Sequence, residues 1–145
     1  MTIVVAEDDP DDRLLIEDAF SEGEVSGEIH FVEDGEDLLD YLRREGRWSE
    51  LKGRASPSLI LLDLNMPRMD GREALKQIKS HESLRSIPVV VLTTSNAEED
   101  VQSTYACGVN SYISKPGSFD QLVDIIRTLN EYWISTVRLP SIRLQ

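Results

Sequence analysis

Asp63 closes the run Leu59-Ile60-Leu61-Leu62, and chain-reversing residues follow it at Pro67 and at Asp70-Gly71. A carboxylate at the end of so apolar a segment is costly unless something compensates it. Three more apolar runs stop on residues able to bind or transfer a phosphoryl group. Ile3-Val4-Val5-Ala6 stops at Glu7-Asp8-Asp9, Pro88 to Leu92 stops at Thr93, and Ser111 to Ser114 stops at Lys115-Pro116. If Asp8, Asp63 and one of Glu7 or Asp9 converge, two such charges 4 Å apart repel by about 4 kcal/mol at an effective dielectric of ~20. The cluster then needs a proton or a divalent cation. Hard oxygen ligands with room for water suit Mg²⁺, and a backbone carbonyl just after Asp63 is a further ligand. With its charge balanced, Asp63 is a carboxylate nucleophile toward phosphorus. Lys115 and the Thr93 hydroxyl would stabilise charge on the phosphoryl oxygens.

These residues meet only if the runs that carry them lie parallel, so that their carboxyl ends share one edge. The elements alternate as that requires. The run ending at Asp63 reads as a central strand covered on both faces. Asp9 caps a first helix with Pro10 at its first position, and Leu15, Ile16, Ala19 and Phe20 form its inner face. Ile29 to Val32 is a second strand. Asp34 caps a helix carrying Leu38, Leu39 and Leu42, with Asp37 well placed in its first turn. A third helix carries Ala74, Leu75 and Ile78, a fourth spans Glu98 to Cys107, and the last carries Phe119, Leu122, Val123, Ile126 and Leu129. Five strand-then-helix units predict an α/β fold: a doubly wound, five-stranded parallel sheet of flavodoxin type, strand order 2-1-3-4-5, with helices on both faces.

The chain has 145 residues and a net charge of −12, unevenly spread. Residues 1–42 hold fifteen acids against Arg13 alone, while Arg43, Arg44, Arg47, Lys52 and Arg54 make the next dozen residues basic. Such acidity argues against nucleic acid as a partner, because phosphate neutralisation supplies most of that affinity. No stretch approaches the roughly 20 apolar residues of a membrane span. The single Cys107 cannot form an internal disulfide, so a reducing cytoplasm is the expected location, and Cys107 reads as a small buried hydrophobe. His30 and His81 read as surface or strand-edge residues, and Trp48 as a loop anchor.

Glu7-Asp8, Asp63, Thr93 and Lys115-Pro116, with 30 residues from Asp63 to Thr93 and 22 from Thr93 to Lys115, resemble the signature of response-regulator receiver domains of two-component signalling. The resemblance covers about residues 2–130. It implies that Asp63 is the phosphoacceptor, Asp8 the main ligand of Mg²⁺ (or Mn²⁺) and Glu7 a water-mediated one. It also implies a metal bond from the Asn65 carbonyl, a switch formed by Thr93 and Tyr112, and a cis Lys115–Pro116 peptide. Asn65 and Ser95, each two residues past Asp63 and Thr93, occupy positions that in this family tune loss of the phosphoryl group. The partner it implies is a histidine kinase, and the chain is expected to signal through the face of its fourth helix, fifth strand and fifth helix.

Two departures narrow the resemblance. A polar, basic insertion at about residues 45–58 lengthens the stretch between Asp8 and Asp63, and residues 131–145 form a C-terminal helical extension and tail with no output domain. Both are similar to the stand-alone regulators that partner bacterial and cyanobacterial phytochromes. Output is then expected through a downstream protein target or phosphotransfer protein. Phe119, Leu122, Ile126, Leu129, Trp133 and Val137 form one apolar helical stripe, from which a homodimer through the last helix is expected, with Trp133 folding back onto its own domain as the other outcome. The competing enzyme reading is an aspartate-nucleophile phosphohydrolase. Such enzymes place a second Asp two residues after the nucleophile, where this chain has Asn65. An unphosphorylated scaffold is the third reading, and no key position is missing to support it.

Overall fold

The structure, a computed structural model, describes residues 1–140. Five strands, β1 (Thr2–Ala6), β2 (Glu28–Val32), β3 (Leu59–Leu62), β4 (Val89–Thr93) and β5 (Ser111–Ser114), form one sheet in the order β2-β1-β3-β4-β5. Every pairing is parallel. Five helices alternate with them: α1 (Pro10–Glu22), α2 (Gly35–Arg43), α3 (Gly71–Ser80), α4 (Glu98–Cys107) and α5 (Phe119–Leu129). This is the doubly wound, flavodoxin-like arrangement that the alternation of apolar runs predicts.

The period-two geometry of β3 divides its side chains between two cores. Ile60 and Leu62 join Leu38 and Leu42 of α2 and Leu75 and Ile78 of α3. Leu59 and Leu61 join Ile16 and Phe20 of α1 and Val123 and Ile126 of α5. β3 is therefore buried throughout, which is why its sequence lacks the alternation of a half-exposed strand. Side-chain oxygens start four of the five helices: Asp9 accepts from the Asp11 and Asp12 amides, Asp34 from Asp37, Asp70 from Glu73, and Ser118 from Gln121. The fourth helix differs. α4 starts at Ala97 without a side-chain cap, and its buried residues are Asp100 and Thr104.

The insertion is better ordered than its composition suggests. Its residues Gly46–Leu51 form a 3₁₀ segment. Trp48 anchors it, donating its indole N–H to Asp37 at 2.9 Å and packing edge-on against Tyr41. Arg44 is not part of a basic surface: it is buried, takes a left-handed conformation at the end of α2, and bonds the carbonyls of Tyr41 and Ala55. His30 lies on the edge strand β2, half-buried, with its Nδ1 2.8 Å from the Tyr41 hydroxyl.

Two expectations need correction. No peptide bond among the described residues is cis, so Lys115–Pro116 is trans, the form that X–Pro bonds favour by about 0.5–1 kcal/mol. The apolar stripe of α5 is not free either. Leu122, Ile126 and Leu129 are buried in the core shared with α1, and Trp133 packs on that same core from a π-helical segment, Asn130–Thr136. A stripe at helical spacing shows which face is buried, not whose surface buries it. Phe119 stays exposed, Val137 lies half-buried beyond the helix, and the last five residues of the expected extension lie outside the described residues.

Candidate functional site

The parallel pairing sets the carboxyl ends of β1, β3 and β4 side by side, with Ala6 in register with Leu62, and Leu62 with Val91. Each strand then hands one or two polar residues to the same edge. Glu7 is 2% exposed and Asp63 7%, whereas Asp8 is half-exposed. One carboxylate oxygen from each of Glu7, Asp8 and Asp63 lies within 4.8 Å of the other two. Asp9 stays outside the cluster as the cap of α1, so Glu7 is the third carboxylate.

β4 and β5 bring the complementary groups. The Thr93 hydroxyl donates to Asp63 Oδ1 at 2.8 Å. The Lys115 ammonium lies 3.2 Å from Asp63 Oδ2 and 3.0 Å from Asp12 Oδ2, and it also bonds Glu7. Burial pushes the Glu7 carboxyl up to about 7; the bond from Lys115 opposes the rise and the charge of Asp63 adds to it. Burial alone would pull the Lys115 ammonium down, but the bonds to Glu7 and Asp12 outweigh it and the net shift is upward. The ammonium therefore stays charged and draws three acids, Glu7, Asp12 and Asp63, around one point.

Two residues at this edge carry no obvious signal in the sequence. Asp12 stands in the first turn of α1, where its carboxylate meets the Lys115 ammonium; spacing alone leaves it among the other acids of α1. Gly71 reads in the sequence only as part of an Asp70-Gly71 turn. In space it lies against the chain leaving β3: a Cβ there would overlap the Asp63 carbonyl oxygen and lie 2.8 Å from Leu64 Cα. The Asn65 amide points back to Asp63 Oδ1 at 3.3 Å. Tyr112 is half-buried, and its hydroxyl donates to the Ser95 carbonyl at 2.9 Å.

The donor set fits a small divalent cation. Three carboxylates converge at the mouth of the sheet, one of them half-open to solvent, and all are hard oxygens of the kind Mg²⁺ and Mn²⁺ accept. The Asp63 carboxylate, the Thr93 hydroxyl and the Lys115 ammonium stand on the same edge, an arrangement chemically able to receive a phosphoryl group.

Comparison with known proteins agrees with this geometry. A family model described as the response regulator receiver domain matches residues 3–127. The probable methanogenesis regulatory protein FilR2 of Methanothrix harundinacea is 44% identical over 138 residues, 95% of this chain and 86% of that protein. The response regulator Rcp1 of Synechocystis is 37% identical over 139 residues, 96% of this chain and 92% of its own. The crystal structure of Rcp1 in its Mn²⁺-bound form superposes with a TM-score of 0.85 at 36% identity, over 96% and 98% of the two chains. That of the phosphorylated cyanobacterial phytochrome response regulator RcpA superposes with a TM-score of 0.87 at 44% identity, over 97% and 98%.

Proposed function

The chain belongs to the response regulator receiver family, and from that membership we propose that it accepts a phosphoryl group on Asp63 from a partner histidine kinase and passes the signal on by protein contact. The observation that carries this reading is the company Asp63 keeps: the Thr93 hydroxyl at 2.8 Å, the Lys115 ammonium at 3.2 Å, and the carboxylates of Glu7 and Asp8 within 4.8 Å. Glu7, Asp8, Asp63 and the Asn65 carbonyl would hold Mg²⁺ or Mn²⁺, which supplies positive charge to the incoming phosphoryl oxygens. Asp63 Oδ attacks phosphorus and the donor's leaving group departs with the bond's electron pair. Thr93 and Lys115 then bond the phosphoryl oxygens. Thr93 and Tyr112 report the event to the face of α4, β5 and α5.

Similarity to Rcp1 and RcpA supports a phytochrome as the kinase, working in the cytoplasm. FilR2 favours a second reading at the same 44% identity as RcpA, in which the kinase senses something other than light. The proposed downstream partner is a protein target or phosphotransfer protein. Among the described residues, no helix is long and apolar enough to cross a membrane.

Incubation with Mg²⁺ and acetyl phosphate, followed by intact-mass measurement, tests the central step. The wild type is expected to gain the mass of one phosphoryl group, labile to hydroxylamine, and Asp63→Asn to gain none. An adduct that persists in Asp63→Asn, or a wild type that stays unmodified, would sink the proposal.

A further inference from the structure

A closed ring of hydrogen bonds runs through the acceptor. The Thr93 hydroxyl donates to Asp63 Oδ1 at 2.8 Å, and the Ser95 amide donates to Thr93 Oγ1 at 3.4 Å. The Ser95 hydroxyl donates to Asp100 Oδ2 at 2.6 Å. Arg72 grips both oxygens of Asp100, Nε to Oδ1 and Nη2 to Oδ2, each at 2.7 Å. Its remaining nitrogen, Nη1, is shared between Asp70 Oδ2 at 3.4 Å and the exposed Asn65 Oδ1 at 3.5 Å, and the Asn65 amide returns to Asp63 Oδ1 at 3.3 Å. One bidentate ion pair, between the first turn of α3 and the first turn of α4, thus engages the side chains on both sides of the acceptor.

Paired forks of this kind fix orientation as well as charge. Asp100 is buried, and Arg72 is only about one-third exposed along its side chain. The Ser95 hydroxyl donates its hydrogen bond to Asp100, and the Asn65 carboxamide oxygen is turned to Arg72. Those two groups stand two residues past Thr93 and Asp63, at the positions that in receiver domains tune loss of the phosphoryl group to water.

Resting on the proposed function above, we propose that the Arg72–Asp100 pair is a positioning device that prolongs the life of the phosphorylated state by keeping Ser95 and Asn65 from orienting the hydrolytic water. In that hydrolysis the water oxygen bonds to phosphorus and the bond from phosphorus to Asp63 Oδ breaks. The electron pair returns to the carboxylate, and the proton lost by water ends on a phosphate oxygen. Side chains that orient such a water speed proton transfer, so withholding them slows the step. Loading has no such water, so the pair should leave it alone.

The test is to load the full chain with acetyl phosphate, remove the donor, and follow decay of the adduct by intact mass. Arg72→Ala and Asp100→Asn are each expected to raise the decay rate about tenfold while changing the loading rate by less than about twofold. The double variant should decay no faster than either single one, because both remove the same restraint. Arg72→Lys, which keeps the charge and loses the fork, should fall between wild type and Arg72→Ala. Should Arg72→Ala fail to fold, Asp100→Asn carries the same expectation with nearly unchanged side-chain volume. Decay at the wild-type rate, or a double variant whose acceleration is the product of the two, overturns the role given to the pair and leaves phosphorylation standing. A wild type that never loads overturns both.

Discussion

At the scale of single residues, Asp63 was legible because a charge that ends four apolar residues has no structural reason to be there. Thr93 and Lys115 were legible for the same reason, since each stops a strand. Gly71 was not, because a close approach to the backbone of Asp63 and Leu64 leaves no trace in composition or spacing. Its role makes a definite prediction. In Gly71→Ala the new methyl meets the Asp63 carbonyl oxygen and Leu64 Cα, both backbone atoms that cannot turn aside. Stability should fall by about 2 kcal/mol, as for other overpacked sites. The displaced acceptor should also load about tenfold more slowly, because nucleophilic attack depends on alignment. Chemical denaturation and the acetyl phosphate assay measure the two losses. A variant as stable and as quick to load as the wild type would show that the strand yields easily.

Among the elements, α4 stands apart. The other four helices bury apolar faces, and their inner residues follow from spacing except Leu15, expected on the inner face of α1 but exposed at the rim of that face. α4 turns Asp100 and Thr104 inward, and the Thr104 hydroxyl bonds back to the Asp100 carbonyl at 2.7 Å. A helix docked by an ion pair more than by apolar area resists sequence reading, since Arg72 and Asp100 lie 28 residues apart and only the fold brings their faces together. It also depends on pH. The bonds from Arg72 and then Ser95 hold the Asp100 carboxyl down from its ordinary 3.8 to about 2. A depressed carboxyl contributes stability above its unfolded-state value and loses it as pH falls through the folded-state value. Wild type should therefore exceed Asp100→Asn in stability above about pH 4 and lose that margin between about pH 4 and pH 2. The margin should be on the order of 1 kcal/mol after screening by solvent. Urea midpoints of both proteins between pH 2 and pH 7 would show it, and a margin that does not change with pH would assign the difference to packing.

For the whole molecule, the order of strands and the shared edge were legible because five parallel units with short links leave few topologies open. What α5 and the chain beyond it do was not. An apolar stripe of Leu122, Ile126, Leu129 and Trp133 looks the same in sequence whether a partner or the chain's own sheet covers it. Here the domain covers it: Ile126 is fully buried, and Trp133 packs on the core of α1 and α5 with its ring 5.1 Å from that of Tyr132. The homodimer expected from that stripe therefore loses most of the residues it rested on, and the π-helical segment becomes a clasp on the domain. A clasp and a dimer interface differ in what a deletion changes. Trp133→Ala should lower stability by about 2 kcal/mol, less than the 3–5 kcal/mol of a fully buried aromatic because the ring is half-exposed. It should leave the sedimentation coefficient of the full chain unchanged at every concentration. A chain ending at Asn130 should sediment as a monomer of its own smaller mass at every concentration. If wild type instead sediments with the mass of a dimer and either variant with that of a monomer while unfolding at the same denaturant concentration, Trp133 belongs to a partner's surface and the clasp is wrong.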